Sequence, residues 1–151
     1  ALVIWSEKLG NDHINVADLY NNLGAAYCNK GEYDKSIEYH EKALKIRLDK
    51  LGSDHIDVGE SYNQLGINYK NKGEYDNALE FYQKALIIWS KKFGNDHIDV
   101  AVLYSNLGAA YDNKGEYDKS IECHEKALKI RLDKLGSDHT DVGESYHELG
   151  K

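Results

Sequence analysis

The chain repeats itself every 42 residues. Gly31, Gly73 and Gly115 stand at that step, and Leu23-Gly24 returns as Leu65-Gly66, Leu107-Gly108 and Leu149-Gly150. A fixed period of this size marks an array, in which each copy is one supersecondary unit that contacts only its neighbours. The opening ALVIWSEKLGNDH obeys the same rule, returning from Ala43, Ala85 and Ala127 with few changes. It therefore reads as the tail of a repeat and not as a signal peptide, which needs a basic start and a longer apolar core. Residues 1–67 match residues 85–151 more closely than neighbouring units match each other, which points to duplication of an 84-residue pair. The expected organisation is a single array over residues 1–151. It divides into a partial repeat at 1–10, full repeats at about 11–52, 53–94 and 95–136, and a partial repeat at 137–151.

Within a unit, Val16, Leu19, Tyr20, Leu23 and Tyr27 fall at steps of three and four, the stripe of an amphipathic helix over about residues 13 to 29. Asn29-Lys30-Gly31 supplies its stop, since Gly accepts the left-handed conformation and Lys suits the negative helix end. A second helix carries Ile37, His40, Ala43, Leu44, Ile46, Leu48 and Leu51 inward and runs to Gly52, with Glu38 and Lys42 paired on its outer face. Asp with Ser or Asn before the first helix is the expected cap. Gly24 and its equivalents stand mid-helix, where Gly costs roughly 1 kcal/mol relative to Ala. Close approach of the second helix accounts for that cost. A hairpin of this size cannot bury its own stripe, so units must stack.

Composition narrows the function. The chain is 41% hydrophobic and 30% charged, and no window reaches the roughly 18 to 20 apolar residues that cross a bilayer. A net charge of −7 disfavours nucleic acid, whose phosphates demand clustered Lys and Arg, and favours neutral or basic partners. Cys28 and Cys123 occupy different places in the unit, so no disulfide framework is indicated and a cytoplasmic location is the simplest expectation.

The residues resemble the tetratricopeptide repeat, whose signature W-x2-L-G-x2-Y reads here as Tyr20-x2-Leu23-Gly24-x2-Tyr27 and recurs at Tyr62, Leu65, Gly66, Tyr69 and at Tyr104, Leu107, Gly108, Tyr111. The second part is looser, with Ser36-x3-His40, Ala78-x3-Tyr82 and Ser120-x3-His124. The family's closing Pro is missing, since Leu48, Ser90 and Leu132 stand there, so the second helix is free to continue. This long form is similar to the 42-residue repeats of kinesin light chains, which place Pro after Asp-His. Ile14, Ile56, Ile98 and Thr140 replace that Pro, so the start of the first helix is expected to be less sharply set. The resemblance implies an all-α, right-handed αα-superhelix of antiparallel helical hairpins, with a non-catalytic, protein- or peptide-binding role.

Candidate chemistry reduces to structural roles. Ser53-Asp54-His55 holds the residue types of a hydrolase triad, but a triad is made by convergence in space and two equivalents begin with Asn. The connector histidines come one per repeat, about 10 Å apart in stacked helices, too far to share a zinc ion. No metal or cofactor site and no Gly-rich phosphate loop is expected. His40 and His124 take the family's aromatic position and read as packed core. The Tyr residues are mostly periodic and read as core. Trp5, Arg47, Trp89 and Arg131 alternate at one position, as a cation–π ladder if exposed or as independent packing.

The resemblance also places the binding surface on the concave wall of first helices. Carried over by position, the candidates are Asp18, Asn21, Asn22 and Asn29 in the first unit, Glu60, Asn63, Gln64, Lys70 and Asn71 in the second, and Ser105, Asn106, Asp112 and Asn113 in the third. Amide side chains offer a donor and an acceptor, which suits the backbone of an extended peptide. A clamp for a terminal carboxylate would need several inward cations, and only Lys70 and Lys151 qualify. The alternative is an architectural array that self-associates through its ends.

Overall fold

A computed structural model describes residues 13–135, and the expectations that rest on the partial repeats at 1–10 and 137–151, on Trp5, on Thr140 or on Lys151 lie outside them. Among the described residues there are six helices and no strand. They are α1 (Ile14–Asn29), α2 (Tyr33–Leu51), α3 (Ile56–Asn71), α4 (Tyr75–Phe93), α5 (Ile98–Lys114) and α6 (Tyr117–Leu135). Each helix packs on the next in sequence, and α3 also touches α1 and α5. This is the contact pattern of stacked hairpins in an all-α repeat superhelix.

The first-helix stop falls at the expected glycine. Gly31 has φ +83°, Gly31 N–H donates to Cys28 O at 3.0 Å, and Glu32 N–H donates to Tyr27 O at 2.9 Å. That pair of bonds satisfies carbonyls the helix end leaves open. The start differs from expectation. The cap is the connector histidine: Nδ1 of His13, His55 and His97 accepts from the backbone N–H of Asn15, Asp57 and Asp99, each at 3.0 Å. The Asp and Ser or Asn before it do not fill the cap position, and the helix start is fixed without the family's Pro. One capping role thus absorbs the repeated histidine that a metal reading would have used. Among the described residues no three His, Cys, Asp or Glu side chains gather as metal ligands.

The core is shared between units. Val58 of the second unit is fully buried, in one cluster with Leu79, Ile88 and Trp89 and with Val100, Leu103 and Leu107 of the third. Each such side chain contributes about 1.5–3 kcal/mol on burial. Gly24, Gly66 and Gly108 explain themselves here. A Cβ on them would lie 2.7 Å from His40 Cδ2, 2.6 Å from Tyr82 Cδ1 and 2.6 Å from His124 Nε2. What approaches is one second-helix ring per unit. Among the described tyrosines Tyr82 alone is fully enclosed. The other described tyrosines are half-buried or exposed, and several of them stack in ladders between the two helices of a unit, with Tyr27 and Tyr39 at 5.5 Å and Tyr69 and Phe81 at 5.4 Å.

Lysines clasp successive units on the turn side. Lys72 Nζ lies 2.7 Å from Asp34 and 2.9 Å from Glu74, and Lys114 repeats this with Asp76 and Glu116 at 2.6 and 3.0 Å. Hydrogen bonds to those carboxylates hold both ammonium groups above the usual lysine range.

Candidate functional site

The first helices α1, α3 and α5 stand side by side, and their polar residues form one wall. Asp18, Asn22, Asn29, Asn71, Asp112 and Asn113 are exposed on it. Asn21, Glu60, Gln64, Lys70, Ser105 and Asn106 are half-buried, and Asn63 is buried. Asn63 lies on α3, which has a first helix on each side.

Several candidates bond to one another across units. Asn21 Nδ2 donates to Glu60 Oε1 at 3.1 Å, Asn106 Nδ2 donates to Asn63 Oδ1 at 2.9 Å, and Asn71 Nδ2 lies 4.0 Å from Cys28 Sγ. Part of the hydrogen-bonding capacity that the sequence offers to a ligand is therefore spent on register. Each amide keeps donors or acceptors beyond the bond it makes here, since the group has two N–H and two lone pairs. Such cross-bonds reduce the entropy an ordered wall has left to lose on binding.

Second-helix residues that were read as core brace this wall from behind. Because Asn21 presents its amide nitrogen to Glu60, its Oδ1 faces His40 Nδ1 at 3.0 Å, so Nδ1 carries the proton. His40 Nε2 is then a bare, buried acceptor with no hydrogen-bond partner. Burial first, and then the charge of Arg47, lower the His40 pKa to about 4, so the ring is neutral near pH 7. Arg47 is 4% exposed. It donates from Nη1 to Ser61 Oγ at 2.9 Å and to Asp57 O at 3.2 Å, and from Nη2 to Asp18 Oδ1 at 3.2 Å. One guanidinium thus ties α2 to the first helices on both sides. Neither His40 nor Arg47 stands among the candidates the sequence offers; the signal for Arg47 is a cation inside the apolar stripe Leu44, Ile46, Leu48.

The equivalent of Arg47 in the next unit is Trp89, whose Nε1 donates to Ile56 O at 3.1 Å. Its indole lies where a Cβ on Gly59 would come within 2.4 Å. Arg47 and Trp89 are both buried and bond separately to first helices, so at these two positions the arrangement is independent packing and not an exposed cation–π ladder. The lysines make the cation–π contacts instead, as with Lys42 over Tyr39 at 5.2 Å.

Comparison with known proteins agrees with this architecture. A family model described as the tetratricopeptide repeat matches residues 1–47, 15–72, 57–132 and 99–151. The chain belongs to the tetratricopeptide repeat family. No curated protein sequence matches it. Among solved structures it is similar to BtubC of P. vanneervenii, at 28% identity and TM-score 0.83, over 89% of this chain and 54% of that one. It is also similar to a putative kinesin light chain of Podosopora anserina with nearly identical TPR-like repeats, at 24% identity and TM-score 0.84, covering 98% and 70%. The apo form of RapI shares the fold at 23% identity and TM-score 0.79, covering 95% and 38%. The chain thus spans about half the length of BtubC. Among the described residues no helix is long and apolar enough to cross a membrane.

Proposed function

We propose that the chain is a non-catalytic scaffold whose wall of first helices binds an extended protein segment. The observation that carries this reading is the row of amides and carboxylates on α1, α3 and α5, set in register by the Asn21–Glu60 and Asn63–Asn106 bonds. Side-chain amides pair with a peptide backbone while dictating little of its sequence. With Asp18, Glu60 and Asp112 set against Lys70, the wall favours a neutral or basic segment. Because Asn63 and Asn106 form one bond, replacing both by Ala removes donor and acceptor together and is expected to leave the melting temperature nearly unchanged. Asn63→Ala alone strands the Asn106 amide and costs about 1 kcal/mol. In fluorescence titrations with a display-selected peptide, the double variant is expected to bind about tenfold more weakly. Full affinity in that variant would remove the wall from consideration.

A second reading, assembly of copies end to end, is favoured by the outer face of α6. Ile121 on that helix is an exposed large apolar side chain. Sedimentation velocity is expected to show concentration-dependent growth that Ile121→Glu abolishes. A strict monomer at high concentration in the unaltered chain would exclude this assembly.

A further inference from the structure

The third unit lacks a ring that its siblings hold. In the first, Tyr39 lies between two first-helix tyrosines, 5.9 Å from Tyr20 and 5.5 Å from Tyr27, the latter at an interplanar angle of 1°. In the second, Phe81 repeats this at 6.0 Å from Tyr62 and 5.4 Å from Tyr69. A lysine covers each middle ring, Lys42 at 5.2 Å and Lys84 at 5.4 Å. At the same position the third unit carries Cys123, half-buried against the core beside Tyr104 and Tyr111.

The surrounding frame has not closed onto the smaller side chain. Lys126 on α6 stands 5.4 Å from the Tyr104 ring, as Lys42 stands 5.6 Å from Tyr20. Lys119 stands 5.6 Å from Tyr111, as Lys35 stands 5.4 Å from Tyr27. The distances that span the two helices of the unit are thus those of a unit holding three rings. Across the crevice, Gln83 on α4 donates to Tyr111 Oη at 3.5 Å. Ile87, one turn further on the same face of α4, is 69% exposed where the equivalents are Lys45 and Lys129. Two departures from the repeat, Cys123 for a ring and Ile87 for a lysine, therefore make one lip of the array apolar.

We propose that this notch between Tyr104 and Tyr111 receives an aromatic side chain, Phe or Tyr, from a protein partner. The siblings supply the template for the occupant. A ring seated there stacks on the Tyr111 face, as Tyr39 does on Tyr27, and takes the Lys126 ammonium over its own face by cation–π attraction. A leucine-sized aliphatic group offers neither contact. Burial raises the Cys123 pKa, so the floor of the notch is a neutral thiol, compatible with a ring resting on it. The notch uses none of the wall residues, so a partner is able to lie along the wall and anchor here separately.

The test uses the full chain with Cys28→Ser, so that Cys123 is the one thiol left to alkylate. N-acetyl-phenylalaninamide at millimolar concentration is expected to slow carboxamidomethylation of Cys123 by iodoacetamide, about threefold or more beyond any effect of N-acetyl-leucinamide. In the otherwise unaltered chain, the phenylalanine probe is expected to shift the Tyr104 and Tyr111 ring resonances. Cys123→Phe, which fills the notch as Phe81 does, is expected to abolish those shifts while keeping the helical circular dichroism spectrum. Equal protection by the two amides, no protection at all, or shifts that persist in Cys123→Phe would each overturn the proposal. If Cys123→Phe fails to fold, the alkylation comparison decides alone.

Discussion

Between pH 7 and pH 4 the array is expected to lose stability that a His40→Tyr variant keeps. The His40 ring is fully buried, its Nε2 has no partner, and its pKa falls from 6.5 to about 4. The unfolded chain takes up this proton near pH 6.5 and the folded one only near pH 4. Within that window the unfolded state holds more protons, so stability falls as pH falls; above it both states are neutral and the contribution is flat. The full gap corresponds to at most about 3 kcal/mol. Tyrosine is the apt replacement because Tyr82 already fills the equivalent place above Gly66 and does not titrate in this range. Urea midpoints of both proteins at pH 7, 5.5 and 4 separate His40 from the carboxylates, which titrate in each. The expected result is a variant that gains on the parent as pH drops. An offset independent of pH would show that His40 is not held neutral by its surroundings.

Gly66→Val is expected to cost about 3 kcal/mol, the upper part of the range for overpacking a filled core. A Cβ there meets Cδ1 and Cε1 of Tyr82 at 2.6 Å, and that ring is 1% exposed, so it has nowhere to retreat. The same substitution in a Tyr82→Ala background is expected to cost far less, because the obstructing ring is gone. A double-mutant cycle in urea measures the coupling directly. Equal costs in both backgrounds would mean that Gly66 is set by helix geometry and not by the ring above it.

Periodicity made the fold legible. The step of 42, the stripe through Val16, Leu23 and Tyr27, and the glycine stop at Gly31 each depend on residues close in sequence, and all appear where expected. The need for glycine at position 24 was also visible, as an unfavourable residue kept in a helix interior. Two things were not. Histidine is an uncommon cap, and its imidazole accepts from the backbone two residues on only after the connector has turned, so Asp and Ser drew the assignment that belongs to His13, His55 and His97. Arg47 and Asn21 find partners such as Asp18, Ser61 and Glu60 that lie 14 to 39 residues away in sequence. Only the stacking of units brings them together. The wall candidates were placed by analogy, and the bonds among them became apparent only with neighbouring helices set beside each other.

Wall, ladder and buried brace all rest on one claim, that a hairpin borrows its core from the next. The direct test is far-UV circular dichroism of residues 53–94 excised as a single unit, followed through urea beside the full chain. The account predicts a largely unfolded peptide with no cooperative transition, next to a cooperative unfolding of the array. A hairpin that melts cooperatively alone, at the midpoint of the full chain, would contradict it.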